Sequence, residues 1–281
     1  MTATRPTVAA LAALLEQRYP LAWAQDWDRV GLVLGEPQAP VRRVLLVVDC
    51  VPETVEQAFE LDAQLIVAHH PLFLRGVSTL APVTYKGQAV HRLIRGGVAL
   101  YTAHTNADVA DPGVSDALAG RLGLVDLRPL CPDPVLPGVG IGRIGRLPTT
   151  LSLAGLTRLA AAVLPPTAWG VRAAGDPDRP ITTVAVCGGA GDSYLATAAR
   201  AGVDAYLTAD LRHHPASEAL AEGGPALLDA AHWATERPWL DDVAAYLGRH
   251  ADVDLVVSDL DTDPWTVHAA SAADRPVKER S

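Results

Sequence analysis

Lysine is almost missing from this chain. Of its 281 residues only Lys86 and Lys278 are lysine, so arginine carries nearly all the positive charge. No Lys/Arg cluster offsets the net charge of -9. A general nucleic-acid binder needs a basic face, so that class is disfavoured unless a pocket is locally basic. Long apolar runs are missing too. None approaches the roughly 20 residues needed to span a bilayer. The opening stretch, MTATRPTVAALAALLEQRYP, lacks the charged start, apolar core and cleavage site of a signal peptide. A cytoplasmic protein with no membrane partner is the expectation. Cysteine is scarce, with Cys50, Cys131 and Cys187 far apart and no CxxC pair. That argues against a disulfide framework and a thiolate zinc site, and for three reduced structural thiols. The six tryptophans form no stripe that suggests base stacking.

What is present reads as a globular α/β protein. Hydrophobic residues make up 49% and charged residues 20%, and the length suits one large domain or two ordinary ones. Val8, Leu11, Leu14 and Leu15 are spaced for an amphipathic helix, with Pro6 suited to its first turn. Buried-strand runs then alternate with helical ones. RVLLVVD (43–49), QLIVAHH (64–70) and VALYTAHT (98–105) read as strands. PETVEQAFELDA (52–63), YKGQAVHRLIRGG (85–97) and DPGVSDALAGRLG (111–123) read as helices. Continuous Val/Leu/Ile runs separated by helices predict parallel strands covered on both faces. Residues 128–148 are dense in Pro and Gly and read as a linker running into a short strand, GIGRIGRL. A second set of strands and helices follows, then PALLDAAH, a helix over TERPWLDDVAAYLGRH and a last strand, DVDLVVSD. The expected architecture is two α/β lobes with mainly parallel central sheets. The first comprises residues 1–128 plus 226–281, completed by the C-terminal segment, and the second residues 129–225.

Histidines and carboxylates collect at predicted strand ends. LIVAHHPLFL places His69 and His70 side by side before Pro71. YTAHTNAD carries His104 and Asp108, and LLDAAHWATE carries His232 and Glu236. Ligand sites in open α/β sheets lie outside the carboxyl ends of the strands. His104/Asp108 and His232/Glu236 are each four apart, so a helical turn would put each pair on one face. Adjacent strand residues point to opposite faces, so His69 and His70 can share a site only where the strand ends and turns, as Pro71 favours. Mixed imidazole/carboxylate ligation suits zinc, manganese, iron, cobalt or nickel and is a poor match to calcium. Four imidazoles and two carboxylates exceed one ion's needs. Two ions about 3.5–4 Å apart sharing a carboxylate would use the set well. A lone strand-end histidine or first-turn acid is ordinarily a satisfied polar residue or a cap, but three such ends together favour a metal site.

Three further stretches stay open between two readings. CGGAGDS (187–193) is either a tight turn or a cradle of backbone N–H groups for a phosphate. TADLRHHPA (208–216), with Asp210, His213 and His214, either lines the same cleft or caps a helix. WDRVGLVLG (27–35) is either a loop anchored by Trp23 and Trp27 or a contributor of its acid to the site.

Taken in order, WDRVGLVLG, AHHPLF, AHTNAD, CGGAGDS, TADLRHH and DAAHWATERP resemble the NIF-three-like family of dinuclear-metal-centre proteins, the GTP cyclohydrolase 1 type 2 homologues, over residues 7–262. The resemblance implies that His69, His70, Asp108, His232 and Glu236 are metal ligands for two divalent ions per chain (zinc, iron or manganese). Glu236 would bridge the ions, with His70 and Asp108 on one, His69 and His232 on the other, and His104 in or beside the ligand shell. It also implies a homohexamer and a metal-dependent hydrolase acting through a bridging hydroxide. A small molecule, with a nucleotide among the candidates, would be the substrate, and His104 or His214 would shuttle protons. A non-enzymatic metal-binding or regulatory scaffold is the alternative. Arg29, Ala209, His213 and Ala231 depart from the family's usual residues but remove no proposed ligand.

Overall fold

The computed structural model describes residues 5–269. In chain order its principal elements are α1 (Val8–Arg18), β1 (Gly31–Leu34), β2 (Arg43–Val47), α2 (Pro52–Glu60), β3 (Leu65–Ala68), α3 (Tyr85–Gly96), β4 (Ala99–Thr102), α4 (Thr105–Val109), α5 (Val114–Arg121), β5 (Val125–Pro132), β6 (Gly140–Ser152), α6 (Leu153–Val163), β7 (Val171–Ala174), β8 (Pro180–Ala190), α7 (Leu195–Arg200), β9 (Ala205–Ala209), α8 (His213–Ala221), β10 (Ala226–Ala230), α9 (His232–His250) and β11 (Asp254–Val257). The fold is α/β, built on two mixed sheets.

The first sheet has the order β1-β4-β3-β2-β11. β2, β3, β4 and β11 are parallel, and β1 runs antiparallel along the β4 edge. β2, β3 and β4 are buried on nearly every residue, which explains their unbroken apolar sequence. β11 pairs with β2, so the C-terminal segment does complete this sheet. β1 falls inside WDRVGLVLG, so part of that stretch is an edge strand and not a loop.

The second sheet has the order β5-β6-β8-β9-β10-β7. The expectation of mainly parallel strands fails here. Only β8–β9 and β9–β10 are parallel; β5–β6, β6–β8 and β10–β7 are antiparallel. For β5–β6 the reason is connection length. Only seven residues, 133–139, join β5 to β6, too few for a parallel crossover. β5 itself lies in the stretch expected to be a linker. Its Pro129 and Pro132 are tolerated because it is an edge strand, where a missing ladder donor costs little. β10 also belongs to this sheet, although residues from 226 onward were expected in the first lobe. The chain returns to the first sheet's side only after Ala230.

α9 makes that return. It packs against α1, β2 and β11 on one side and against β8, β9 and α5 on the other. Trp239 is fully buried in it, donates Nε1–H to the Tyr19 hydroxyl at 3.0 Å, and stacks obliquely on the Tyr19 ring. α1 buries Val8, Leu11, Ala12 and Leu15 in the same core, and Thr7 caps it by accepting the Ala10 N–H. No described helix is long and apolar enough to cross a membrane.

Candidate metal centre

The carboxyl ends of both sheets face a common cleft. β3 ends in His69 and His70, whose backbone N–H groups extend the ladder to Val47 and Val48 carbonyls before Pro71 turns the chain. β4 leads through Ala103 to His104, which caps the short helix α4. Asn106 holds this turn, accepting the His104 N–H and donating to the Tyr19 carbonyl. His232 is the first residue of α9, so Glu236 lies one turn later on the same face. The expected convergence of three strand ends occurs, but across two sheets.

The four rings are oriented alike. His69 Nδ1 lies 2.9 Å from the Ala103 carbonyl oxygen, which can only accept. Nδ1 therefore carries the proton and Nε2 the lone pair. His70 Nδ1 meets Asp49 at 2.7 Å, His104 Nδ1 meets Asp28 at 2.8 Å, and His232 Nδ1 meets Asp210 at 2.7 Å. Each outer nitrogen is thus tied to an oxygen, the arrangement that aims metal-binding imidazoles. The Nε2 atoms of three of these rings crowd Glu236. His70 Nε2 is 3.1 Å from Oε2, His232 Nε2 is 3.1 Å from Oε1, and His69 Nε2 is 3.5 Å from Oε1. His69, His70 and His104 offer ring nitrogens that lie within 4.8 Å of one another, and so do the ring nitrogens of His70 and His232 with a Glu236 carboxylate oxygen.

These residues fit a cation. His69 Nε2 is buried without a hydrogen-bond partner, and the near neighbour of Glu236 Oε2 is His70 Nε2. Orphaned buried polar atoms are costly and call for an explanation such as a bound ion. Space has been cleared for them as well. A Cβ on Gly189, which has φ +67°, would fall 2.4 Å from Glu236 Oε1 and 3.1 Å from His232 Nε2. Protons occupy the charge balance otherwise left to a cation. At His232, Glu236 outweighs burial and, with Asp210, pushes the pKa up to about 11. At His70, burial is overcome by Glu236 and Asp49, which push it to about 10. Burial opposes ionisation of Glu236, yet His232, His70 and His69 hold its carboxyl well below the usual range. Asp108 is shifted up because its burial exceeds the pull of His69 and His104.

Among the candidate ligands two close approaches stand out. His70 Nε2 lies 3.3 Å from His232 Nε2, whereas His69 Nε2 lies 3.8 Å from Asp108 Oδ1. Strand geometry is the reason: His69 turns inward against Trp239, at 5.1 Å between rings, and its neighbour turns outward to the cleft. His214 does not join the centre. It is exposed at the start of α8 against His213, and among the described residues no hydrogen bond or ion pair links it to the cluster. CGGAGDS has two of its backbone N–H groups already committed, which favours the turn over a phosphate cradle. The Gly188 N–H is taken by the Ser115 hydroxyl and the Gly189 N–H by that of Thr235. Arg29 points to backbone carbonyls of Asp26 and Asp28 and stays exposed.

Sequence reasoning missed the roles of Asp49 and Gly189, and it left open whether the acid of WDRVGLVLG, Asp28, joins the site. Asp49 had a readable signal, an acid at the carboxyl end of the buried run RVLLVVD. Asp28 is buried and also accepts the Thr105 N–H at 3.0 Å. Asp210 lines the adjoining cavity and reaches the site only through His232 Nδ1, held at φ +57° after β9 in a conformation rare for non-glycine residues. The three cysteines are free, as expected.

A family model described as Duf34/NIF3 (NGG1p interacting factor 3) matches residues 6–264. The chain belongs to the Duf34/NIF3 family. Among its relatives, a Streptomyces coelicolor protein described as a GTP cyclohydrolase 1 type 2 homologue is 53% identical, over 95% of this chain and 96% of the relative. A Mycobacterium tuberculosis protein of the same description is 37% identical, over 95% of this chain and 99% of the relative. Its alignment of 378 residues exceeds the whole of this chain, so that relative carries additional residues. The fold of a Bacillus cereus protein related to NIF3 matches with a TM-score of 0.86 at 24% identity, over 94% of this chain and 99% of the other. A Staphylococcus aureus protein described as hypothetical matches with a TM-score of 0.86 at 26% identity, over 94% and 100%.

Proposed function

We propose that this Duf34/NIF3 chain holds two divalent transition-metal ions and is a metal-dependent hydrolase. The observation that carries the reading is the convergence of anchored imidazoles on one buried carboxylate, with His69 Nε2 left unpartnered. His69 with Asp108 would hold one ion and His70 with His232 the other, with Glu236 serving both, as the distances favour. When bound, such ions supply Lewis acidity and lower the pKa of a nearby water.

The chain's own residues then position and protect a substrate. Asp28 fixes His104 at the cleft wall, where it can hold or return a proton. The cleft, of about 530 Å³, runs past Trp27, His104, Asp108, Gly189, Ser193 and Tyr194 to Glu236. Trp27 is 54% exposed and meets His104 edge-on at 5.9 Å, so it offers a ring face to a substrate. The relatives' description makes the purine ring of GTP one candidate, alongside phosphoesters. Assembly as a homohexamer is part of the proposal. The exposed run of Leu74, Val77, Leu80 and Val83 beyond the histidine pair supports self-association. Light scattering of the purified chain tests it, and a monodisperse monomer would refute it.

Elemental analysis of untagged protein comes first, followed by a nucleotide and phosphoester hydrolysis screen. About two ions per chain and turnover lost on chelation are expected. Two ions without any turnover would leave the metal-binding scaffold as the function. No ion after reconstitution with zinc, manganese or iron would end the metal reading.

A further inference from the structure

A second cavity lies behind the histidines, on their Nδ1 side. Its volume is about 380 Å³, and its lining includes Asp49, Trp169, Arg172, Asp210, Asp263 and Trp265. His70 and His232, two proposed metal ligands, also line it, and Trp265 lies beyond the residues that the family model matches. Two tryptophan rings form one wall. Trp169 and Trp265 are 5.9 Å apart at 37°, and Trp265 is 60% exposed. An exposed indole on a cavity wall is a surface for a ligand.

One carboxylate on this wall has no cationic side chain paired with it, although His70, His232 and Arg172 also line the cavity. Asp49 is committed, accepting from His70 and from the Thr262 hydroxyl. Arg172 is committed too, paired with Asp229. Asp210 uses only Oδ2, on His232. Asp263 is 6% exposed and accepts just the Trp265 N–H, through Oδ1 at 3.0 Å. Among the described residues no lysine, arginine or histidine pairs with it. Its other oxygen has no hydrogen-bond partner among the described residues and leaves an acceptor free on the cavity wall, with His232 the nearby positive influence. Burial, with Asp261 and Asp210 adding to it, shifts its carboxyl up.

We propose that this cavity binds a small organic cation, a compound carrying a guanidinium or primary amine. The wall already shows the recognition in miniature. Arg172 places its guanidinium 4.6 Å from the Trp169 ring centre while a carboxylate, Asp229, holds it. A ligand between Trp265 and the free oxygens of Asp263 and Asp210 would repeat that contact. An inorganic ion fits less well. Calcium takes roughly six to eight oxygen ligands, whereas indole faces favour weakly hydrated organic cations.

The probe is agmatine, which carries both groups, with n-butylurea as its neutral counterpart. Binding to the full chain is followed by calorimetry and tryptophan fluorescence. Saturable one-site binding with a Kd below about 1 mM is expected. Asp263→Asn keeps the acceptor for the Trp265 N–H and removes the charge, and Trp265→Ala removes an exposed ring. Each should weaken agmatine about tenfold or more while melting like the parent protein. n-Butylurea should bind at least about tenfold more weakly than agmatine. Glu236→Ala should leave agmatine binding intact, which separates this cavity from the metal cleft. The proposal is overturned by absence of saturation to about 10 mM, by equal binding of n-butylurea, by undiminished binding in both cavity variants, or by loss in Glu236→Ala alone.

Discussion

Glu236 concentrates the chemistry of this molecule. It is 3% exposed and lies within 3.5 Å of three imidazoles. Glu236→Ala should therefore remove more metal than His104→Ala, whose ring sits to one side of the Glu236 cluster. Elemental analysis of both variants decides this, and equal losses would refute a shared carboxylate. The anchoring acids matter at the same scale. Asp210→Asn keeps the shape but weakens the acceptor that fixes His232 Nδ1, so metal affinity should fall about 10–100-fold. A competitive chelator titration measures it. Unchanged affinity would mean that the ring is aimed by packing alone.

At the scale of elements, α9 joins core to site. His232 and Glu236 occupy its first turns, and Trp239, about a turn beyond Glu236, packs against His69. Trp239→Ala should cost about 3–5 kcal/mol of stability through the cavity it opens. It should also loosen His69, so chemical denaturation and metal content would both report the change. β8 contributes by having no side chain at Gly189. Gly189→Val would drive a side chain into Glu236 and His232 and strain a φ of +67°. Metal content should collapse in a variant that still melts cooperatively. Retained metal would show that β8 can yield.

Across the whole molecule the site is a charge balance. The raised His70 and His232 pKa values stabilise the ion-free fold below their ordinary value of 6.5, and that contribution fades as pH rises through about 10 and 11. The depressed Glu236 acts oppositely, stabilising above its ordinary 4.5 and losing that contribution as pH falls. The ion-free site is thus most favourable between 4.5 and 6.5. A metal must displace the imidazole protons, so its affinity should rise with pH and its binding should release protons. The gap in melting temperature between loaded and chelator-stripped protein should widen from about pH 6 to 9. A gap independent of pH would contradict the charge balance described here.

The sequence by itself carried the ligand types and their intervals. Buried strand runs, a histidine pair before a proline and His-x-x-x-Glu are local patterns, and local patterns follow from backbone geometry that a linear reading can apply. That is why β2, β3 and β4, the helices between them and the ligand candidates were legible. The tertiary structure decided what depends on contacts between distant segments. Asp28 lies 76 residues from His104, and Asp49 lies 21 from His70, so neither pairing has a local signature. β5 looked like a linker because its prolines are tolerated only at an edge, and edge status is set by sheet order. His214 matched a motif but ended exposed, because α8 begins past the cleft. His232 belongs to the first sheet's site while following a strand of the second, because α9 crosses between them. Packing of the two sheets around that helix, and not the order of the chain, determined which histidines meet.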